Sequence, residues 1–277
     1  MTLQTALLQG TQLLQDAAIP VPRLTAEVLL AHAIRCQRTY LYTYPERELK
    51  EVEWIHYGRY LHERLQGKPT QYITRRQEFY GREFRVSPAV LIPRPETEHL
   101  VETAVKQLRR GDRIVDVGCG SGAIAITVAL ELATPTLATD LSSDALAVAR
   151  HNAATLGAQV TFVQGDLLTA FADRSLDAVL SNPPYVPVAQ RESLQREVRD
   201  YEPHLALFAG ETGNEMYASL FTQAARVLKP GGLLILELGF GSLDSVLAMA
   251  QTGWQDVGTT DDLAGIPRVL TARRARP

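Results

Sequence analysis

Ile114-Val115-Asp116-Val117-Gly118-Cys119-Gly120-Ser121-Gly122-Ala123 decides the fold. Four residues of strand character run into three glycines spaced by one residue, and residues 123–132 then read as an apolar helix. A strand, a glycine-rich turn and a helix in that order form the ligand-presenting unit of α/β sheets. Glycine lets the backbone turn sharply and lets a ligand approach with no Cβ in the way. Asp116 stands at the turn itself. A dinucleotide would bring its pyrophosphate to the helix start, where a carboxylate repels it. The spacing is also GxGxG, not the dinucleotide GxGxxG. A cationic ligand accepts that acid, and a purely structural turn is the plain alternative.

Strand and helix patterns continue C-terminally. Residues 136–139 read as a strand ending at Asp140, 145–156 as a helix, and 160–163 as a strand ending near Asp166. Residues 176–181 form a strand pattern ending at Asn182. A helix over 216–228 and strands over 233–238 and 268–272 follow. This alternation predicts a mostly parallel α/β sheet with ligands at the strands' carboxyl ends. Residues 186–212 show no clear period and are expected to be a lid or binding loop.

Towards the N-terminus, Pro93-Arg94-Pro95-Glu96-Thr97-Glu98 is a helix-start signal before an apolar-periodic helix over 100–108. Glu78-Phe79-Tyr80-Gly81-Arg82-Glu83-Phe84-Arg85-Val86 reads as a β-hairpin. Apolar residues at helical spacing predict helices to about residue 18, over 24–34 and over 48–65. The expected organisation is a helical bundle over 1–70, a hairpin linker over 71–92 and a catalytic α/β domain over 93–277.

The 277 residues carry a net charge of −3, with 45% hydrophobic and 21% charged side chains. That composition excludes a disordered, collagen-like or coiled-coil chain. The charge is uneven: +4 over residues 1–94 and −7 over 95–277. Neither part is polybasic, which argues against a stable grip on nucleic acid. Two cysteines, Cys36 and Cys119, make neither a zinc signature nor a disulfide framework, and the six histidines lack metal spacing. The start does not read as a signal peptide and no apolar run would span a membrane. A cytoplasmic monomer without membrane contact is expected.

Asp140 ends the second strand about 20 residues beyond the glycine turn, where a carboxylate accepts from ribose hydroxyls. A helix cap, with Ser142 and Ser143 following, is the alternative. Asp166 and Leu167 end the third strand, where an adenine amino group and ring would lie, or they are turn residues. Together with Asp116, Gly118, Cys119, Gly120, Ser121 and Gly122, these residues form the candidate site for a sulfonium cofactor, S-adenosyl-L-methionine, which carries positive charge and no phosphate. Arg94, Glu98 and Glu237 border this site or serve as caps and surface pairs.

Asn182-Pro183-Pro184-Tyr185 closes the fourth strand. It resembles the signature of methyltransferases that act on planar amide or amine nitrogens, whose lone pairs are delocalised. The Asn182 oxygen and the Pro183 carbonyl can accept the two N–H bonds, and Tyr185 can pack over the planar group. Positioning then supplies most of the catalysis. Asn182, Pro183 and Tyr185 are the candidate catalytic residues, and the four residues together the candidate substrate contacts.

Three longer stretches carry a further likeness: residues 79–98, residues 116–125, and Asp262-Leu263-Ala264-Gly265-Ile266-Pro267-Arg268. With Tyr201-Glu202-Pro203 and Leu228-Lys229-Pro230-Gly231-Gly232, they resemble the bacterial release-factor glutamine methyltransferases over nearly the whole chain. That resemblance implies a class I S-adenosylmethionine-dependent fold, Rossmann-like with a mostly parallel seven-stranded sheet. It also implies methylation of the glutamine amide in the Gly-Gly-Gln motif of class I peptide-chain release factors, with S-adenosyl-L-homocysteine as product. Alternatives are a glutamine of a large-subunit ribosomal protein, an adenine N6 of nucleic acid, and a binding module that kept the fold without catalysis. The family often has Gly at Arg75 and Thr at Cys119. Arg75, Arg76, Arg82 and Arg85 are expected to help dock the protein substrate.

Overall fold

The structure, a computed structural model, describes residues 1–276. The chain divides into two compact units. The first comprises Met1–Arg76 and Gln195–Tyr201, and the second Gln77–Leu194 and Glu202–Pro277.

In the first unit, α1 (Leu3–Asp16), α2 (Pro22–Ile34), α3 (Arg38–Thr43), α4 (Glu51–Leu65) and α5 (Thr70–Thr74) pack around Leu3, Leu14, Leu29, Leu30 and Tyr57. Thr2 caps α1 by accepting from the Thr5 amide. Glu27 is buried in this unit, bonded to Arg23 at 2.7 Å, Arg38 at 2.6 Å and the Tyr42 hydroxyl. Burial raises its pKa, but these three donors outweigh it and leave the carboxyl below its ordinary value.

A hairpin of β1 (Arg76–Phe79) and β2 (Arg82–Arg85) begins at the boundary. A 3₁₀ turn (Pro95–Thr97) leads into α6 (Glu98–Gln107). The second unit continues with β3 (Ile114–Val117), α7 (Ala123–Glu131), β4 (Thr136–Asp140), α8 (Ser143–Leu156), β5 (Val160–Gln164) and β6 (Leu176–Ser181). After the α9 segment (Arg196–Tyr201) come α10 (Glu215–Val227), β7 (Leu228–Glu237), α11 (Leu243–Met249), β8 (Trp254–Asp261) and β9 (Pro267–Arg274). The seven-stranded sheet has the order β5-β4-β3-β6-β7-β9-β8. Neighbours from β5 to β7 are parallel, and β9 is antiparallel to both β7 and β8.

The central strands β3 and β6 are largely apolar because both sheet faces are covered. Ala178 and Leu180 of β6 face one core with Leu100, Ile124 and Ile126, whereas Val179 faces the other with Tyr217, Leu220 and Leu270. Residues 186–212, expected as a loop without a period, hold two 3₁₀ turns and the six-residue α9. The pattern also missed α3, α5, α11 and the edge strand β8. Arg82, expected to face a protein partner, is bonded to Glu131 at 2.5 Å. Glu98 accepts from the Tyr80 amide at 2.8 Å and so holds the hairpin tip.

Candidate active site

The sheet reverses its direction of build at β3. The chain moves from β3 outward to β4 and β5, then returns to β6 on the other side. Val117 is in register with Ser181, so the glycine turn and Asn182 leave the sheet next to one another. Ligands of open α/β sheets bind at this kind of switch point. Here it forms a cleft of about 250 Å³, lined in part by Gly118, Gly120, Asp140, Asp166, Asn182 and Pro184.

The glycine turn is held from below. The Gly118 and Cys119 amides both donate to the Thr139 carbonyl at 2.9 Å. Gly118 and Gly120 have φ of 71° and 52°, and a Cβ on either would meet no protein atom. Gly122 (φ 81°) precedes α7, and a Cβ there would come within 2.8 Å of Ile126 Cδ1. This turn therefore needs left-handed backbone, and at Gly122 the bare Cα as well.

Asp116 does not line the cleft. It is 1% exposed and its Oδ2 accepts from the Ala125 amide at 3.1 Å, while its buried Oδ1 has no hydrogen-bond partner among the described residues. Burial pushes its carboxyl up to about 7; the Ala125 amide opposes this and Asp140 adds to it. Cys119 and Ser121 are buried, and neither they nor Gly122 line the cleft. Cys119 packs with Ala125, Ala138, Leu146 and Ala149, and burial raises its thiol well above the usual range. A thiol so protonated is a poor nucleophile.

Asp140 lies at the cleft wall. Its Oδ2 accepts from the Gly120 amide and its Oδ1 from the Ser142 amide, each at 2.9 Å. It thus ties the glycine turn to the start of α8, with Ser142 as the N-cap. Asp166 is exposed at the rim, and Leu167 takes φ 49°, supported by a bond from Thr139 Oγ1 to its carbonyl. A β-branched or bulky residue seldom adopts such a φ without surrounding constraint, and such positions cluster at binding sites. The cleft fits S-adenosyl-L-methionine: glycine positions open to a ligand at Gly118 and Gly120, and a wall carboxylate, Asp140, for hydroxyl donors.

Asn182 reaches the cleft and its Nδ2 donates to Thr97 Oγ1 at 3.1 Å. Pro184 lines the cleft, whereas Pro183 is buried and outside its lining. The Tyr185 ring packs beside Gly239, where a Cβ would sit 2.6 Å from Tyr185 Cδ2. Burial, with Glu237 adding to it, pushes the Tyr185 phenol up to about 12. Arg94 bonds Glu202 at 2.5 Å, and Glu202 also accepts from the Ile92 amide at 3.3 Å. Thr97 and Glu202 were not among the sequence candidates. Thr97 lies within a helix-start signal, which hides any second task. Among the described residues no cluster of side chains has metal-binding character, and no helix is long and apolar enough to cross a membrane.

Comparison with known proteins agrees with this geometry. Residues 5–74 match the family described as PrmC N-terminal domain, and residues 95–199 that described as Methyltransferase small domain. Solved structures share the fold at low identity. A methyltransferase from Pyrococcus furiosus has TM-score 0.55 at 18% identity, covering 72% of this chain and 91% of its own. A ribosomal protein L11 methylase from Lactobacillus delbrueckii subsp. bulgaricus has TM-score 0.51 at 20% identity, over 72% and 90%. Sequence relatives reach much further. The release factor glutamine methyltransferase of Koribacter versatilis is 46% identical over 99% of both chains. That of Nitratidesulfovibrio vulgaris is 43% identical over 99% of this chain and 95% of its own. With that identity held end to end, and a class I S-adenosylmethionine-dependent fold beneath it, this chain belongs to the release factor glutamine methyltransferase family.

Proposed function

We propose that the protein methylates the side-chain amide nitrogen of the glutamine in the Gly-Gly-Gln motif of class I peptide-chain release factors. The carrying observation is the placement of Asn182 and Pro184, and of Gly118 and Gly120 with Asp140, on one switch-point cleft. The relatives reported above carry the release-factor name, which favours that substrate over a ribosomal protein or an adenine.

S-adenosyl-L-methionine, when bound, supplies a methyl group on a sulfonium and leaves as S-adenosyl-L-homocysteine. Asp140 holds its ribose hydroxyls, Asp166 and Leu167 border its adenine, and the turn at Gly118 and Gly120 leaves room for its chain. Asn182 and the Pro183 carbonyl each accept one N–H of the substrate amide, which fixes the nitrogen and favours a localised lone pair. Held in this geometry, the amide needs no strong base before transfer, and orientation supplies the larger share of rate. Residues 1–70 serve substrate recognition, with exposed Arg75 and Arg76 just beyond them as contacts.

Mass mapping of purified release factor after incubation with enzyme and donor is expected to place one methyl on the Gly-Gly-Gln glutamine. Replacing that glutamine is expected to abolish labelling, and labelling that persists on the variant would refute the assignment.

A further inference from the structure

Part of the cleft wall lies outside the sheet. Pro203, Leu205 and Ala206 line it, as do Ala89, Val90 and Leu91. The first three belong to a short strap, residues 202–209, that is stiff in itself. The Ala206 amide donates to the Pro203 carbonyl at 2.9 Å, and the Leu207 and Phe208 amides donate to the His204 carbonyl at 3.1 and 3.0 Å. The His204 and Phe208 rings meet edge to face at 5.5 Å. A segment held in this way moves as one body, so its two fastenings decide where it lies.

At its far end the strap is fastened by backbone. The Val186 amide donates to the Leu207 carbonyl at 3.0 Å, and the Ala209 amide to the Val186 carbonyl at 3.1 Å. Val186 directly follows Tyr185. At the near end the chain has just entered this unit, at Glu202, and the fastening is a side chain. Glu202 Oε1 accepts from Arg94 Nη2 at 2.5 Å, and Oε2 from the Ile92 amide at 3.3 Å. The Glu202 side chain is 1% exposed and that of Arg94 33%. Ile92 and Arg94 follow the lining residues Val90 and Leu91 and precede Thr97, whose Oγ1 accepts from Asn182. One carboxylate thus joins the strap to the segment that carries Ala89, Val90 and Leu91 and that is bonded to Asn182.

We propose that Glu202, through Arg94 and the Ile92 amide, is a positioning residue that latches the strap against the cleft and so retains the donor there. The proposal rests on the reading of the cleft as a donor site and adds which residue keeps its wall in place. Glu202 does not line the cleft and touches neither donor nor substrate in this role. A buried carboxylate is tolerated only while it is paired and hydrogen-bonded, and Arg94 and the Ile92 amide meet both needs in the latched position. Without the latch the strap exchanges between seated and lifted positions. Only the seated form presents Pro203, Leu205 and Ala206 to the donor. Apparent donor affinity then falls in proportion to the seated fraction, whereas saturating donor restores seating.

Two variants of the full-length chain test this. In Glu202→Ala the Kd for S-adenosyl-L-methionine, read by calorimetric titration, is expected to rise about tenfold or more, with kcat at saturating donor within about threefold of wild type. Glu202→Gln keeps an acceptor of the same shape and is expected to hold that Kd within about threefold of wild type. A readout free of donor and substrate is backbone amide hydrogen exchange. Exchange of the Ala206, Leu207 and Phe208 amides is expected to quicken about tenfold in Glu202→Ala, while that of β3 and β6 stays as in wild type. An unchanged Kd in Glu202→Ala, no recovery in Glu202→Gln, or strap exchange that does not quicken overturns the proposal. Quickening shared equally by β3 and β6 also overturns it, because that marks a general loss of stability. If the wild-type protein binds no S-adenosyl-L-methionine, the donor reading fails, and the exchange measurement alone decides the latch.

Discussion

Asp140 ties two pieces of backbone together at the cleft wall. It accepts from the amide of Ser142, the residue that itself caps α8, and from the Gly120 amide. Removing it therefore has two effects that can be separated. Asp140→Ala is expected to weaken donor binding about tenfold or more, since hydrogen bonds to a charged group contribute ~1.5–3 kcal/mol, and to lower thermal stability as two amides lose their acceptor. Asp140→Asn keeps one acceptor and is expected to recover much of the stability but not the affinity; calorimetric titration that finds unchanged affinity would exclude the ribose contact. Asn182→Ala is expected to lower kcat by roughly 10²-fold with donor binding intact. Single-turnover rates at saturating donor report this directly. Asp140 and Asn182 were legible because each directly follows strand residues, where local pattern and chemistry coincide. Thr97 was not, since its bond to Asn182 joins residues 85 apart and no local spacing records it.

At the scale of elements, legibility followed length and burial. The central strands and the longer helices stood out because tertiary packing demands a continuous apolar pattern. By contrast, α3 has six residues, α5 five and α11 seven, too few for helical periodicity to repeat. Strand β8 buries only Trp254 and lies at the sheet edge, so it shows no apolar alternation. Strand β7 begins at Leu228, five residues before its apolar run, because Leu228 pairs with Leu176 and a bulge then absorbs Pro230-Gly231-Gly232. Arg75 acquires a physical reading of the same kind. It ends α5 in left-handed backbone at φ 62°, a position at which glycine bears no Cβ penalty. Arg75→Gly relieves roughly 1 kcal/mol of strain, offset in part by ~0.4–1 kcal/mol of added unfolded-state entropy. A small rise in Tm is expected by scanning calorimetry, and a fall would show that the Arg75 side chain contributes stabilising contacts.

At the scale of the whole molecule, two buried carboxyls tilt stability against pH. Asp116 and Glu237 are held near 7 in the fold against ordinary values of 3.8 and 4.5. The native state therefore binds their protons more tightly than the unfolded chain, and stability falls as pH rises through that interval. The destabilisation is complete above about 7 and absent below the ordinary values. Urea unfolding is expected to give a higher free energy near pH 6 than at pH 8. Asp116→Asn is expected to stabilise by on the order of 1–3 kcal/mol at pH 8 and by less at pH 5.5. An equal effect at both pH values would deny Asp116 its raised pKa. Chain routing has a consequence of another kind. Residues Gln195–Tyr201 belong with Met1–Arg76, where Arg64 meets Glu197 at 2.6 Å and the Tyr201 hydroxyl meets the Gln66 carbonyl at 3.1 Å. The polypeptide thus passes between its two units three times, at 76/77, 194/195 and 201/202. A protease nick near residue 76 frees residues 1–76 from a second piece that still carries Gln195–Tyr201 of the first unit, and a gene fragment ending there omits part of the unit it was meant to encode. Recombination that exchanged the first unit for another would have to succeed at two separate places in the gene at once, so the two units are inherited together.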